Sequence, residues 1–319
     1  MTASVDRYRE LSALDPSIPL FCRPFWLDAV CGADGWDVAL VDRGGVVVGA
    51  LPYRSRSRLG FTLVEMPILT QFMGPWLSPP AGQKSHSRLS FEKEVMTELI
   101  DQLPPFDFFR QNFHLAVTNW LPFHWKGFQQ TTRYTYVLDD LTDLKTVFSE
   151  FRSNIKTDIR KAQKSVRVVE SEDLRKFYAV NQLTFDRQSR EPPYELALLE
   201  RLDAACKPRH CRRLLFAEDA RGAVHAAIYV VWDEQSAYYL LGGGDPKLRG
   251  SGATSLLLWE AIQHAATVTK RFDFEGSMVE PIERFFRAFG AAQKPYFQIS
   301  KIASRRMRVR RMVEALVGL

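Results

Sequence analysis

Residues 238–290 read YYLLGGGDPKLRGSGATSLLLWEAIQHAATVTKRFDFEGSMVEPIERFFRAFG. The stretch opens with an apolar run of strand length that ends in three glycines, and apolar residues then recur at helical spacing over 253–268. Phe-Asp-Phe at 272–274 indicates a second short strand, and 281–289 a short helix with Ser277 as its N-cap. We therefore expect a strand, a glycine-rich loop, a long helix, a second strand and a short helix in this order.

The glycine-rich loop is a candidate anion site. Its glycines let the backbone approach a ligand closely, and the start of the next helix offers unpaired N–H groups at the positive end of the helix dipole. The spacing matches neither the dinucleotide fingerprint nor the P-loop, since no Gly-Lys-Ser/Thr closes it. For glycine content alone, a loop that needs tight turns is the simpler explanation.

The order of the elements favours a ligand site, because it resembles the acyl-donor site of the GCN5-related N-acetyltransferases (GNAT). In that family, Arg/Gln-x-x-Gly-x-Gly/Ala at a helix start holds a pyrophosphate. The motif is approximated here by Arg249, Gly250, Gly252 and Ala253, with Thr254 in place of its last glycine. The resemblance implies an acyl-CoA donor. The candidate donor-binding residues are Tyr239, Leu241, Gly242, Arg249, Gly250 and Gly252.

Length and composition are those of a globular protein with two domains. The chain has 319 residues, of which 46% are hydrophobic and 25% charged. The first residues, MTASVDRYRE, contain no apolar signal core, and no run of 18 apolar residues exists. We therefore expect a cytoplasmic protein without a secretion signal or transmembrane segment. The four cysteines form no Cys-x-x-Cys pair, so no metal site and no permanently bound cofactor are predicted.

The net charge of +6 is concentrated in two segments. Residues 301–319 contain six basic residues and one acid, and so do residues 152–167. Such patches suggest polyanionic partners, namely nucleic acid, nucleotide-linked substrates or lipid head groups. Charge alone does not choose among them.

The second half of the chain repeats the order of the first. Hairpin turns are predicted at 42–45 (Asp-Arg-Gly-Gly) and 219–222 (Asp-Ala-Arg-Gly), and Phe-Asp-Phe recurs at 106–108 and 272–274. Because these short matches occur in the same order, they indicate a duplicated α/β domain.

The predicted organisation is an N-terminal unit at 1–141, a C-terminal unit at 142–302 and a basic amphipathic helix at 303–319. A helix at 91–103 capped by Ser90 and a strand at 296–302 that closes the second unit are also expected.

A basic segment lies between the two units. Apolar residues at steps of three and four over 143–167 predict one apolar helix face. Basic residues at i, i+4 follow an adjacent face and repel one another by a few tenths of a kcal/mol per pair, roughly, unless an anion offsets the repulsion. A solvated basic face is the alternative. The basic residues are Arg152, Lys156, Arg160 and Lys164.

This segment resembles a family motif. FRSNIKTDIRKA at 151–162 resembles the Arg-x-Asn-Ile-(Arg)-Lys-Ala segment of the FemAB/FemX family, whose relatives include BioF2-like acetyltransferases. Phe-Asp-Phe-Glu-Gly at 272–276 and Phe-Phe-Arg-Ala-Phe-Gly at 285–290 resemble the family's Asp-Phe-x-Gly and Phe-Lys-x-x-Phe/Trp-Gly motifs. The resemblance covers residues 140–300 and implies two tandem GNAT-type units with mixed, mostly antiparallel sheets flanked by helices.

The resemblance also implies a reaction. Members of the family transfer an acyl or aminoacyl group to an amine; some use aminoacyl-tRNA to extend peptidoglycan precursors, and others are acetyltransferases. The donor would be acyl-CoA or aminoacyl-tRNA, and the acceptor a small or nucleotide-linked anionic molecule. The polar loop 184–194 is expected over the acceptor site, or else as a plain surface loop. The candidate acceptor-binding residues are Arg152, Asn154, Lys156, Arg160, Lys161, Asp186 and Arg187.

The chemistry of amine acylation requires little equipment. The amine must lose a proton and the oxyanion needs hydrogen-bond donors, for which the backbone of strand 239–242 is a candidate. Asp273 and Glu275 are the candidate bases, with Asp186 and Asp245 in reserve. The family's lysine aligns with Phe286, so Arg287 is the candidate to replace it. The catalytic candidates are therefore Asp273, Glu275 and Arg287.

Two alternatives remain open at this point. The C-terminal helix could contact an anionic membrane, contact tRNA, or dock on its own domain through Val309, Met312, Val313 and Leu316. The whole chain is either an N-acyltransferase or an inactive GNAT-like module that binds RNA or anionic membrane through its basic patches.

Overall fold

The computed structural model describes residues 2–186, 191–276 and 278–316. Contacts divide the chain into two compact units: the first comprises Met1–Arg133 and Pro295–Leu319, and the second Tyr134–Lys294. Each is α/β, with mostly antiparallel strands flanked by helices, as the sequence predicts.

The first unit begins with two helices and contains two groups of strands. Its helices are α1 Ala3–Leu14, α2 Pro24–Cys31, α3 Ser85–Asp101 and α4 Leu121–Trp125. Its strands are β1 Asp37–Arg43, β2 Val46–Tyr53, β3 Ser55–Arg58, β4 Phe61–Glu65, β5 Trp76–Leu77 and β6 Phe108–Asn112, and β7 Gln129–Leu138 leads into the second unit. One group has the order β1-β2-β5 and the other contains β3-β4-β6.

The second unit is built on one sheet. Its helices are α5 Leu144–Ser149, α6 Ser153–Ala162, α7 Leu174–Asp186, α8 Leu196–Cys206, α9 Ala253–Val268 and α10 Glu280–Arg287. Its further strands are β8 Arg167–Glu170, β9 Arg212–Glu218, β10 Val224–Trp232, β11 Ala237–Gly244 and β12 Phe272–Asp273, in the order β7-β12-β11-β10-β9-β8. The β11–β12 pair is parallel. The other four pairs of this order, β7–β12, β11–β10, β10–β9 and β9–β8, are antiparallel.

Local sequence signals placed several elements correctly. Helix α9 spans the predicted residues, and both predicted hairpins form, as β1–β2 and β9–β10. Their turns share one device: the side chain of Asp42 accepts the Gly45 N–H at 2.9 Å, and that of Asp219 accepts the Ala223 N–H at 2.9 Å. An aspartate that bonds forward along its own backbone therefore fixes each turn.

Helix α3 begins at Ser85, six residues before the predicted start, and Ser90 lies inside it instead of capping it. Residues 85–90 are mostly exposed, so they carry no apolar period from which a helix could be read. The predicted single apolar helix within 143–167 is likewise two helices, α5 and α6, interrupted at 150–152.

The chain returns to the first unit at its end, through β13 Ala292–Ile302 and α11 Arg305–Leu316. Residues 298–302 pair antiparallel with β6, so this strand belongs to the first unit and does not close the second. The observed divisions at 133/134 and 294/295 thus differ from the predicted ones at 141 and 302. The observed divisions follow from the backbone pairing of β13 with β6, two strands that lie nearly two hundred residues apart in the sequence.

Helix α11 docks through a different residue from those predicted. Met307 is buried with Phe61 and Phe108, whereas Val309, Met312 and Val313 are exposed. The side chain of Leu316 lies outside the described part of the chain.

Candidate active site

Strands β11 and β12 diverge soon after they meet. They pair only at Ala237–Phe272 and Tyr238–Asp273, while β11 continues to Gly244 against β10. The register with β10 shifts at Leu240, which is a β-bulge in β11. From Tyr239 onward, the β12 side of β11 therefore has no strand partner among the described residues. A gap opens there, with backbone hydrogen-bonding groups in its wall.

The three glycines after Leu241 belong to β11, although the sequence placed them in a loop. The reason is a close helix: a Cβ on Gly243 would lie 2.5 Å from the Cα of Asn181 in α7. The Asn181 amide donates to the Gly242 carbonyl at 2.7 Å, and the Tyr194 hydroxyl donates to Asn181 Oδ1 at 2.6 Å. These glycines serve close packing on α7 more than tight turning.

The loop from 245 to 252 leads into the start of α9. Gly252 has φ +78°, and a Cβ there would lie 2.3 Å from the backbone oxygen of Asp158, so α6 packs directly on this glycine. The Lys161 ammonium donates to the Gly250 carbonyl. Gly252 offers no side chain to cap α9, although Ser251 Oγ accepts the Ala253 N–H at 3.3 Å. The next N–H groups have no acceptor within the helix, because the first turn of any helix lacks one, and a helix start of this kind can bind an anion.

The basic residues of α6 are divided between two roles. Lys161 contacts the loop from 245 to 252, the predicted donor loop, and Lys156 donates to the Ser149 carbonyl at 2.6 Å while covering the Phe148 ring. Arg152, Asn154 and Arg160 are exposed, so their assignment to the acceptor stays a prediction. The acceptor role of Lys161 likewise stays a prediction, beside its contact with the Gly250 carbonyl.

Two carboxylates stand where β12 ends. Asp273 is buried, and its Oδ1 accepts the Thr135 hydroxyl and, at 2.7 Å, the Glu275 N–H. Burial raises the pKa of Asp273 to about 6, against the lowering effect of these two hydrogen bonds. The hydrogen bonds hold the Asp273 side chain in place, which suits a residue that supports a neighbouring reactive group.

Glu275 is the less satisfied of the two. Both carboxylate oxygens are buried without a hydrogen-bond partner among the residues described, and burial, with the nearby Asp273 charge, raises the pKa of Glu275 well above its ordinary value. Its backbone φ of +52° is strained for a residue with a side chain. Burial raises the pKa of Tyr239, and the charge of Glu275 adds to this rise, so the two groups face the same interior.

On α10, the residue at the family's lysine position and its neighbour Arg287 have different surroundings. Phe286 is buried, with its ring edge-on to Tyr239 at 5.9 Å and near Phe274 at 5.3 Å. Arg287 is 54% exposed and its Nε donates to Glu283 Oε1 at 2.8 Å. An apolar ring thus occupies the lysine position, and Arg287 is engaged in an ion pair on its own helix.

The remaining candidates lie elsewhere. Asp245 accepts the Lys247 N–H at 2.8 Å within the loop. Asp186 is the exposed last residue of α7, so 184–186 are helical and not part of a loop. Arg187 lies outside the described residues, as does Ser277; the N-cap of α10 is Val279.

Sequence reasoning missed three polar residues of the site: Thr135, Asn181 and Tyr194. Asn181 left a signal as a polar residue between apolar ones on the buried side of α7, and Tyr194 ends the loop 184–194 that the sequence predicts over the acceptor site.

The buried state of Asp273 has a consequence for stability. Its pKa rises from an unfolded value near 4 to about 6 on folding, so the folded state binds more protons and unfolding free energy falls as pH rises from about 4 to 6. We expect this loss, about 3 kcal/mol, to be absent in Asp273→Asn, because asparagine does not titrate, while its Oδ1 can still accept from Thr135. Denaturant titrations at pH 4 and pH 7.5, compared between variant and wild type, measure it. An equal pH dependence in both proteins would show that Asp273 titrates normally.

Comparison with known proteins identifies the fold. Residues 149–296 match the family model described as acetyltransferase (GNAT) domain. A crystal structure of FemX aligns with TM-score 0.65 at 12% identity over 93% of this chain and 96% of that one. L-PGS from Bacillus licheniformis aligns with TM-score 0.56 at 10% identity over 100% and 98%. A tandem GNAT protein from the clavulanic acid biosynthesis pathway aligns with TM-score 0.52 at 14% identity over 94% and 95%.

These likenesses confirm the predicted fold of two tandem GNAT-type units. The sequence matches none of the curated proteins compared with it. Within the described ranges, no helix has the length and apolar character to span a bilayer, and no cluster of three or more His, Cys, Asp or Glu side chains could hold a metal ion.

Proposed function

Because the chain has a FemX-like GNAT fold and carries a GNAT acetyltransferase domain at residues 149–296, we propose that it is an N-acyltransferase. It moves an acyl or aminoacyl group from an activated donor to a primary amine on an anionic acceptor. The observation that carries the proposal is the divergence of β11 from β12: β11 runs on toward the loop before α9, and two buried carboxylates, Asp273 and Glu275, lie where β12 ends.

The donor we favour is an acyl-CoA. Its pyrophosphate suits the start of α9, where free N–H groups and exposed Arg249 meet. Its acyl arm suits the gap, where the open side of β11 can donate to the thioester carbonyl. Phe286 supports this choice over aminoacyl-tRNA, since the lysine implied for the aminoacyl transferases is replaced by a buried ring.

The proposed reaction is direct transfer. The amine attacks the carbonyl carbon, a C–N bond forms and the bond to the donor's leaving group breaks. Glu275 accepts the amine proton, since its oxygens have no competing hydrogen bond. Tyr239, whose raised pKa keeps it protonated, gives a proton to the leaving group. The Asp273 side chain accepts the Glu275 N–H and so positions the Glu275 backbone, and the charge of Asp273 raises the pKa of Glu275.

The acceptor we propose is an anionic, amine-bearing molecule such as a cell-wall precursor. Arg152 and Arg160 are exposed on α6, a helix that packs against the donor loop. The FemX likeness favours this acceptor class, and the basic surface supplies its charge complement.

The direct test is calorimetry on purified, nucleic-acid-free protein with acetyl-CoA and, separately, with a mixed aminoacyl-tRNA pool. Binding of acetyl-CoA supports the favoured donor. Binding of charged tRNA alone would reverse that choice and leave the aminoacyl transferase. If the protein binds polyanions in general, binds neither donor specifically and shows no transfer, it is the inactive module.

We expect Arg249→Ala to weaken acetyl-CoA binding about tenfold, the size of one charge-assisted hydrogen bond, without loss of thermal stability. Arg249 is exposed and makes no side-chain hydrogen bond to any residue the structure describes. Lys247→Ala removes an equal charge from the same exposed loop and is the control. Equal effects of the two substitutions would mean that only net charge matters.

A further inference from the structure

Helix α11 fixes itself to the first unit by one face. Met307 is buried with Phe61, Leu63 and Phe108. The guanidinium groups of Arg306 and Arg310 lie 5.4 and 5.6 Å from the centre of the Phe61 ring, and that of Arg311 lies 4.9 Å from the centre of the Phe108 ring. These contacts hold the helix in a defined rotation, so its other face is fixed outward.

The outward face combines apolar and basic residues. Val309, Met312 and Val313 are 61%, 66% and 53% exposed, and their spacing of three and four places them together. Arg305 and Arg308 are exposed four residues before Val309 and Met312, and therefore border the same patch. A helix that turns apolar residues to solvent between arginines has the pattern of an interfacial helix.

The β3–β4 hairpin lies next to α11 and adds exposed residues of the same two kinds. Leu59 at its turn is 70% exposed, with φ +52°, and Arg58 beside it is exposed. The hairpin adjoins α11, since Arg306 covers Phe61. The nearby acids Glu65 and Glu314 pair with Arg56 and Arg310, so they leave the charges of Arg58, Arg305 and Arg308 uncancelled.

We infer that this helix–hairpin surface, formed by Arg58, Leu59, Arg305, Arg308, Val309, Met312 and Val313, binds an anionic phospholipid bilayer. Nucleic acid would pair with the arginines but leave the apolar residues in water. A second copy of the chain would bring like charges together. An anionic bilayer provides head groups for the arginines and an acyl boundary for the apolar side chains. The inference goes beyond the acyl transfer and does not depend on it.

The test is sedimentation of the full chain with vesicles of phosphatidylcholine, with and without phosphatidylglycerol. We expect binding only where phosphatidylglycerol is present, with weakening by salt. Arg305→Ala with Arg308→Ala should lower the affinity roughly 30-fold, because each basic residue near an anionic surface contributes about a factor of five. Met312→Glu should lower it roughly tenfold or more.

Val46→Glu is the matched control, because Val46 is 65% exposed in β2 of the same unit and the substitution changes net charge equally. It should bind vesicles like wild type. Equal losses in Met312→Glu and Val46→Glu would overturn the inference, as would equal binding to neutral vesicles. It would also be overturned if the chain did not bind vesicles and the substitutions on α11 instead abolished RNA binding or a dimer. Acyl transfer to a soluble amine should be unchanged in Met312→Glu, so this inference and the proposed activity fail separately.

Discussion

Glu275→Gln should lower kcat by a factor of roughly 10²–10⁴, the range expected when a general base is removed. The variant keeps the shape of the side chain and removes a buried charge that has no described partner, so folding should be retained or improved. Single-turnover transfer to a simple primary amine, alongside thermal denaturation, measures both effects.

The pH profile separates Glu275 from its neighbour. In wild type the rate should rise with pH as Glu275 loses its proton, at a pH above the ordinary carboxyl range because its pKa is raised. Asp273→Asn removes a charge that raises this pKa, so the acidic limb should move to lower pH while most activity remains. In Glu275→Gln that limb should disappear.

A contrary result is easily recognised. If Asp273→Asn were inactive and Glu275→Gln active with its acidic limb near pH 6, Asp273 would be the base, since its pKa is about 6. If neither variant lost activity, the amine would deprotonate without help from this pair.

Gly252→Ala should be the most damaging single substitution in the donor loop. A left-handed residue with a Cβ costs about 1–2 kcal/mol, and a Cβ 2.3 Å from the Asp158 carbonyl oxygen forces α6 and α9 apart at a further cost of about 1–3 kcal/mol. We expect the melting temperature to fall by roughly 6–12 °C. Because the loop must move, kcat/KM should fall about 100-fold.

Gly250→Ala is the matched control, two residues away in the same turn. Nothing lies within 4 Å of a Cβ built on Gly250, so its stability should stay within about 0.5 kcal/mol of wild type. If the donor phosphates approach the loop backbone there, affinity should fall without a change in melting temperature. Equal stability of the two variants would contradict the close packing of α6 on Gly252.

Elements set by neighbouring residues could be predicted from the sequence. The bounds of α9 follow from its apolar period, and each aspartate turn follows from a bond to its own backbone. The motif at 151–162 likewise led to the correct fold, and the helix α6 that it predicts shares one apolar core with α9.

Long-range contacts could not be predicted in this way. The sequence shows that residues 242–244 are glycines but not that α7 lies against Gly243. Nor does it show that Lys161 reaches the Gly250 carbonyl. Arg287 adjoins Phe286 in sequence, yet successive helical residues point about 100° apart, so a neighbour does not inherit the direction of the replaced lysine.

The pairing of β13 with β6 also sets an order of synthesis. The second unit occupies Tyr134–Lys294 without interruption, so all of it leaves the ribosome before residues 298–302 do. Until residues 298–302 emerge, one edge of β6 is unpaired and the first unit cannot be completed. The part translated first therefore matures last, and a chain cut short after residue 294 would carry a finished second unit beside an exposed strand edge.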